Sequence, residues 1–286
     1  MFVNGCDCSV VIKTENKETD IPYTDETIRE AVSFLEEEAS VEGDGVRRGL
    51  FQVCGVTGCV VTPLTIGTAP LLLYLAMGAA GNPVYVSETK NLFQYFLNLT
   101  PTEDTEHFDL IQNRGGERLF YEGCRVKGFE LRVLREETIK LKLDFTNGLP
   151  PVVYQHTDRF ERKEEERFNG DSVTYSINGS EYNNIYGLTL LSKKQGGTKT
   201  ELWIKRAKER GPDIPAVIEE MTVTARLLRD TYENRYFGMF RITVKRLVML
   251  SDETEINTAD TVIGPVRYYV AGGVSAEVFG GGEEIQ

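Results

Sequence analysis

The chain of 286 residues is 41% hydrophobic and 10% aromatic, with a formal charge of −12. That content can bury a sizeable core and excludes global disorder. The acid excess excludes a protein that wraps nucleic acid through clustered Lys and Arg, although an acidic wall lets DNA slide past without sticking.

In chain order, residues 1–45 read as a strand at Ser9 to Ile12, a polar linker ending at Pro22, and a helix. Thr24 supplies the helix cap, and Asp25 and Glu26 fall in its first turn. Ile28, Ala31, Val32 and Leu35 stand at helical spacing, which predicts an amphipathic helix over 25–39 with a solvated acidic face. From Leu50 to Thr68 the chain is β-rich and broken by Gly55 and Gly58. A second helix starts near Pro70 and ends around Gly78 to Gly81, since Pro suits the first helical turn and Gly the last. Val84 to Leu99 is aromatic and β-prone, and Phe108 to Ile111 leads through a turn into Leu119-Phe120-Tyr121.

The clearest pattern lies between Tyr121 and Gly148. Phe129, Leu131 and Val133 alternate with Glu130 and Arg132. After the charged turn Arg135-Glu136-Glu137, Ile139, Leu141, Leu143 and Phe145 alternate with Lys140, Lys142 and Asp144. A period of two with one apolar and one charged face predicts an antiparallel hairpin, half buried. Asn147-Gly148 predicts its stop through left-handed backbone angles.

The stretch 150–215 has the least globular pattern. Asp158 to Asp171 mixes acids and bases around only two phenylalanines, which predicts a solvated loop or exposed hairpin or, alternatively, an arm reaching another subunit. Residues 155–215 are expected to be an arm or loop insertion. Tyr186 to Leu191 and Glu201 to Ile204 read as strands, and Lys205 to Pro215 as a polar loop. Alternation returns at Met221 to Leu227 and Phe240 to Lys245, followed by strands at Val262-Ile263, Val266 to Ala271 and Val274 to Phe279. The tail 280–286 has nothing to pack with and is expected to move freely. With no repeat and no sharp linker, the sequence predicts one domain over 1–286, mainly β with two short helices.

Chemistry is sparse. There is no phosphate-binding loop, no HExxH, no GxSxG and only two histidines, so no catalytic residue, no cofactor and no enzymatic activity are expected. Cys6, Cys8, Cys54 and Cys59 number enough for a zinc site, but their spacings miss the two-residue knuckle. Inert thiols, with Cys54 and Cys59 in a small-residue core strand, are the stronger expectation. The N-terminus MFVNGCDCSVV lacks the features of a secretory signal, and the most apolar stretches are too short to span a bilayer. Those features predict synthesis in a cytoplasm with reduced thiols and without membrane insertion.

The order of these features resembles the tail tube proteins of long-tailed bacteriophages and related phage-like particles. The resemblance rests on Gly49 to Thr62, the helix entered at Pro70, YEGCRVKGFELRVLREETIKLKLDF with its Gly123, Val126 and Phe129 start, and the closing VRYYVAGGVSAEVF. It covers roughly 47–147 and 217–279. It implies a β-sandwich or barrel whose edge strands join neighbouring subunits into hexameric rings, stacked as a hollow tube. It also implies a tape-measure protein inside the tube, tail terminator and baseplate proteins at its ends, and DNA passing through without specific binding. Localisation would be the virion tail, assembled in the bacterial host cytoplasm. Under that resemblance Glu130, Arg132, Lys140, Lys142 and Asp144 are candidates for the lumen or an inter-ring surface. Two alternatives remain open from the sequence: a carbohydrate-binding or adhesive β-sandwich, and another tail ring protein such as a terminator or baseplate component.

Overall fold

A computed structural model describes residues 8–14, 18–36, 49–78, 84–87, 92–99, 107–114, 117–153, 166–194, 197–206, 213–230, 235–254 and 263–281. Its strands are β1 (Ser9–Lys13), β2 (Glu18–Asp20), β3 (Asp25–Glu26), β4 (Arg29–Glu36) and β5 (Gly49–Pro63). Helix α1 (Ala69–Met77) is followed by β6 (Val84–Ser87), β7 (Leu92–Asn98), β8 (His107–Arg114), β9 (Glu117–Leu134) and β10 (Lys140–Asn147). Then come β11 (Val152–Val153), a 3-10 turn (Gly170–Ser172), β12 (Val173–Ile177), β13 (Ser180–Glu181), β14 (Ile185–Lys193) and β15 (Lys199–Arg206). The chain closes with β16 (Val217–Asp230), β17 (Arg235–Thr254), β18 (Ile263–Val270) and β19 (Val274–Gly281). The fold is mainly β, and the strand pairings are antiparallel.

Two long strands organise the sheet. One side of β9 pairs with β8 and then β14, and its other side with β11 and then β10. Likewise β17 holds β16 along one side, and β19 and β18 along the other. A continuous series therefore runs from β4 and β3 through β5, β10, β9, β14, β15, β18, β17 and β16 to β12 and β13. Side branches lead from β8 to β1 and β2, and from β19 to β7 and β6. Strands long enough to change partner midway let one sheet wrap a single core.

That core joins Phe129, Leu131, Leu141, Leu143 and Phe145 of the hairpin to Leu188, Ile204, Phe240, Val266 and Val278 from the rest of the sheet. Helix α1 packs against β7, β9 and β19. Its Leu71, Leu72, Leu73 and Leu75 are all buried, so it lacks the polar face of a surface helix. Pro70 sits in its first turn, and Gly78 at its end takes φ 98°, which an L side chain adopts only with strain.

Several sequence expectations need correction. No helix spans 25–39: β3 and β4 occupy that stretch, leaving one α-helix among the described residues. The register of β4 against β5 shifts between Ala31 and Val32. The extra residue there is Cys54 of β5, while Ala31 and Val32 are adjacent in β4 and so lie on opposite faces. Apolar residues on both faces give the spacing that mimics a helix. Val32 is 55% exposed, whereas a buried helical stripe would have covered it.

Residues 155–215 are not an arm or loop insertion as a whole, because β12 to β15 belong to the sheet. Residues 158–165 of the charge run lie outside the described residues, but its end is built in. Phe168 is fully buried and packs edge-on against Phe240 at 5.1 Å. Lys205 to Pro215 is likewise not all loop, since β15 continues to Arg206 and Ile214 is buried.

The hairpin stops at Asn147 as expected, but neither Asn147 nor Gly148 is among the residues with positive φ. Instead the Asn147 side chain holds three backbone groups. Its Oδ1 accepts from the N–H of Val56 and Leu149, and its Nδ2 donates to the Glu122 carbonyl. The left-handed residue sits at the other end of β10, where Glu136 takes φ 64° in the charged turn. The C-terminal tail also starts later than predicted. Gly280 and Gly281 pair with Phe93 and Leu92, and 282–286 lie outside the described residues.

Candidate functional site

The five charged candidates share the outward face of the hairpin. In register, Lys140 stands opposite Arg132, Lys142 opposite Glu130, and Asp144 opposite Gly128. Their inward neighbours Leu131, Leu141 and Leu143 fill the core, so the alternation read from the sequence places each charge as predicted. Lys142 Nζ lies 3.4 Å from Asp144, and Arg132 lies 3.8 Å from Glu137. Burial pulls the Lys142 pKa down, but the surrounding Asp144, Cys59 and Glu130 outweigh it and leave it raised. Such half-exposed pairs order side chains more than they stabilise the fold.

The same face continues across the sheet. Beyond β9, Thr189 faces Arg132, Leu191 faces Glu130, and Lys193 faces Gly128. On β15 these meet Trp203, Glu201 and Lys199, with Lys205 beside Gly187. On β18, Arg267 lies opposite Trp203 and Tyr269 opposite Glu201. Val248 of β17 and then Val217 of β16 finish the Tyr269 row. At the far end of the hairpin, Arg125 stands opposite Thr146. One surface thus runs from a charged hairpin to an apolar rim at Tyr269, Val248 and Val217, which are 40%, 45% and 57% exposed.

A network at the centre of this surface has no precedent in the sequence reading. Glu201 is only 8% exposed, yet it remains charged. Lys199 Nζ reaches Oε1 at 2.8 Å, while Arg267 and the Trp203 indole N–H reach Oε2 at 3.1 and 3.2 Å. The Lys199 hydrogen bond leads in holding its pKa down, to about 2, against burial, with Trp203 and Arg267 adding to it. The Arg267 guanidinium also lies 4.9 Å from the Trp203 ring centre, at cation–π distance. Alternation of Glu201 and Trp203 with buried Leu202 and Ile204 was a usable signal, but the Arg267 contact spans 66 residues and leaves no local trace.

Lys194 was also not legible. It is 3% exposed, and its Nζ finds no hydrogen-bond partner among the described residues. Burial alone pushes its pKa down to about 8. Replacing it with Met, which keeps the stem and removes the charge, should raise stability at pH 7 by on the order of 2 kcal/mol. The pH sign follows from proton linkage. Between pH 8 and the ordinary 10.5, the unfolded chain holds a proton that the folded chain lacks, so the wild type gains stability as pH rises through that window. Thermal melts of Lys194→Met and wild type at pH 7 and 9.5 should show the gap narrowing at the higher pH. An unchanged gap would contradict the assignment.

The thiols form no site among the described residues, where no group of three metal-ligating side chains occurs. Cys6 lies outside those residues. The core-strand expectation for Cys54 and Cys59 fails, because Cys54 is exposed and Cys59 half-buried. Gly55 opposite Ala31 marks the bulge that turns this part of β5 outward. Cys54 Sγ donates to the Ala31 carbonyl, and Cys59 Sγ shares a hydrogen bond with Thr27. Cys124 does behave as an inert thiol, pushed up to about 12 by burial and by Asp109.

The sheet edges are the remaining candidate for assembly. Among the described residues, β4 is bordered by β5 only, β13 by β12 only, and β6 by β7 only. An eight-residue border strand such as β4 presents a row of backbone donors and acceptors, suited to another strand. No helix among the described residues is long and apolar enough to cross a membrane. The chain matches no model of a known protein family and no curated protein.

Proposed function

We propose that this chain is a structural subunit that assembles with copies of itself, of the tail tube type its sequence resembles. In this reading it is a β-sandwich or barrel, stacked as hexameric rings into a hollow tube of a virion tail. The tube houses a tape-measure protein, ends at terminator and baseplate proteins, and passes DNA without binding it specifically. The observation that supports the reading most is the extended antiparallel sheet with border strands at β4 and β13 and with a charged, polar outward face. Border strands invite backbone pairing between copies, and the outward charges suit a surface in contact with water or another subunit. No catalytic role is assigned to any residue.

The test is sedimentation velocity of the full chain over a hundredfold concentration range. Discrete ring-sized species that grow with concentration are expected. A single monomeric species throughout, coupled with binding in a glycan screen, would overturn the reading in favour of an adhesive module.

A further inference from the structure

The outward face of β10, β9, β14, β15 and β18 is basic although the chain is acidic. Its charged side chains described above, with Glu137 beside Arg132 included, comprise eight basic and four acidic groups, a balance of +4. The whole chain carries −12, so everything outside this face carries −16. Exposure sharpens the contrast. Arg125, Arg132, Lys193, Lys199 and Lys205 are exposed, whereas Glu130 and Asp144 are half-buried, Glu201 is buried, and the one exposed acid named here, Glu137, lies against Arg132. What an approaching partner meets is therefore cationic.

We infer that this face docks onto a second copy of the chain, whose residues outside the face carry the acid excess. Two copies at −12 repel one another at long range, and a local basic surface offsets that repulsion when they meet. The fit is charge-complementary and pairs unlike surfaces. Contacts of that kind do not close as a two-fold dimer but continue into a ring or a filament. The composition of the face agrees with such a role. Trp203, Tyr269 and Arg267 stand at its centre, types enriched among residues that dominate interface energies. Val248 and Val217 extend it with exposed apolar area in the same cross-strand row. This inference shares self-association with the reading above, but it assigns the hairpin charges to a contact between copies rather than to a lumen.

The test compares wild type with Arg132→Glu/Lys193→Glu/Lys205→Glu, three exposed changes on three strands. A second variant, Val248→Asp, reports on the apolar rim. Association is followed by sedimentation velocity at low and high salt, with thermal melts to confirm folding. Wild type should associate at low salt and weaken as salt rises, because exposed charges are screened. The triple variant should lose at least about tenfold in association constant with an unchanged melt, and Val248→Asp should also weaken it. Variants that associate as wild type does would overturn this inference and leave the self-assembly reading standing. Salt-sensitive open filaments that depend on the face, and never close into rings, would support this inference and overturn the tube reading. A closed two-fold dimer would overturn the pairing of unlike surfaces. Wild type that stays monomeric under all conditions would overturn both. Salt-sensitive binding of a short single-stranded DNA to the same face, without self-association, would overturn the second copy as occupant.

Discussion

Replacing Leu141 with Asp is expected to leave no soluble folded protein. Leu141 is fully buried near the start of β10, in register with Leu131 on one side and Thr62 on the other. The new carboxylate would enter a cluster that includes Phe129, Leu143 and Phe145. The neighbouring cations Lys140 and Lys142 project from the opposite side of the strand. An unpaired buried charge combined with a lost leucine costs about 4 kcal/mol or more, a large part of the stability of an ordinary domain. The check is expression followed by circular dichroism and a urea melt. Phe145→Asp should behave alike, whereas Lys142→Asp, one residue away on the outward face, should fold. Equal tolerance at positions 141 and 142 would contradict the two-faced hairpin.

Gly170→Ala should destabilise nearly as severely for a different reason. Gly170 is buried in the 3-10 turn and donates its N–H to the Glu137 carbonyl. A β-carbon there would run into the carbonyl of Leu134, which is backbone and has no rotamer to move aside. The strain falls where the end of the charge run grips the hairpin tip. There Glu136 N–H donates to Asp171, Ile139 N–H to the Phe168 carbonyl, and Phe168 N–H to the Leu64 carbonyl. Accommodating the methyl means breaking several of these bonds, each contributing about 1 kcal/mol, and disturbing the Phe168 packing. A fall in the urea midpoint equivalent to about 3 kcal/mol is expected. Gly148→Ala is the control, because a β-carbon at Gly148 meets nothing within 4 Å. Equal effects of the two substitutions would contradict the contact.

These two positions also mark how far the sequence could be read. Leu141 was legible because its neighbours alternate strictly over a whole strand, and period two has one interpretation at that length. The charged candidates Glu130, Arg132, Lys140, Lys142 and Asp144 were legible by the same rule. Helix α1 announced itself through Pro70 and Gly78. Gly170 and Phe168 were hidden because their contacts are long-range: a phenylalanine among acids and bases reads as a solvated loop until its partner Phe240 is known. Adjacent Ala31 and Val32 misled in the opposite direction, since apolar residues on both faces of β4 imitate helical spacing. Buried Lys194 offered no signal at all, and the Glu201 network needed Arg267 from 66 residues away. Local periodicity thus showed which face each strand residue occupies. It could not show which strands meet, and both the tip contact and the basic face are products of those meetings.

The central claim is that this chain builds an assembly from its own sheet edges and outward face. Negative-stain microscopy of the purified full chain, over a concentration series at low and physiological salt, tests it most directly. Rings with six-fold end views that stack into hollow tubes are the predicted result. Fields of single, unassociated particles at every concentration and both salts would contradict it.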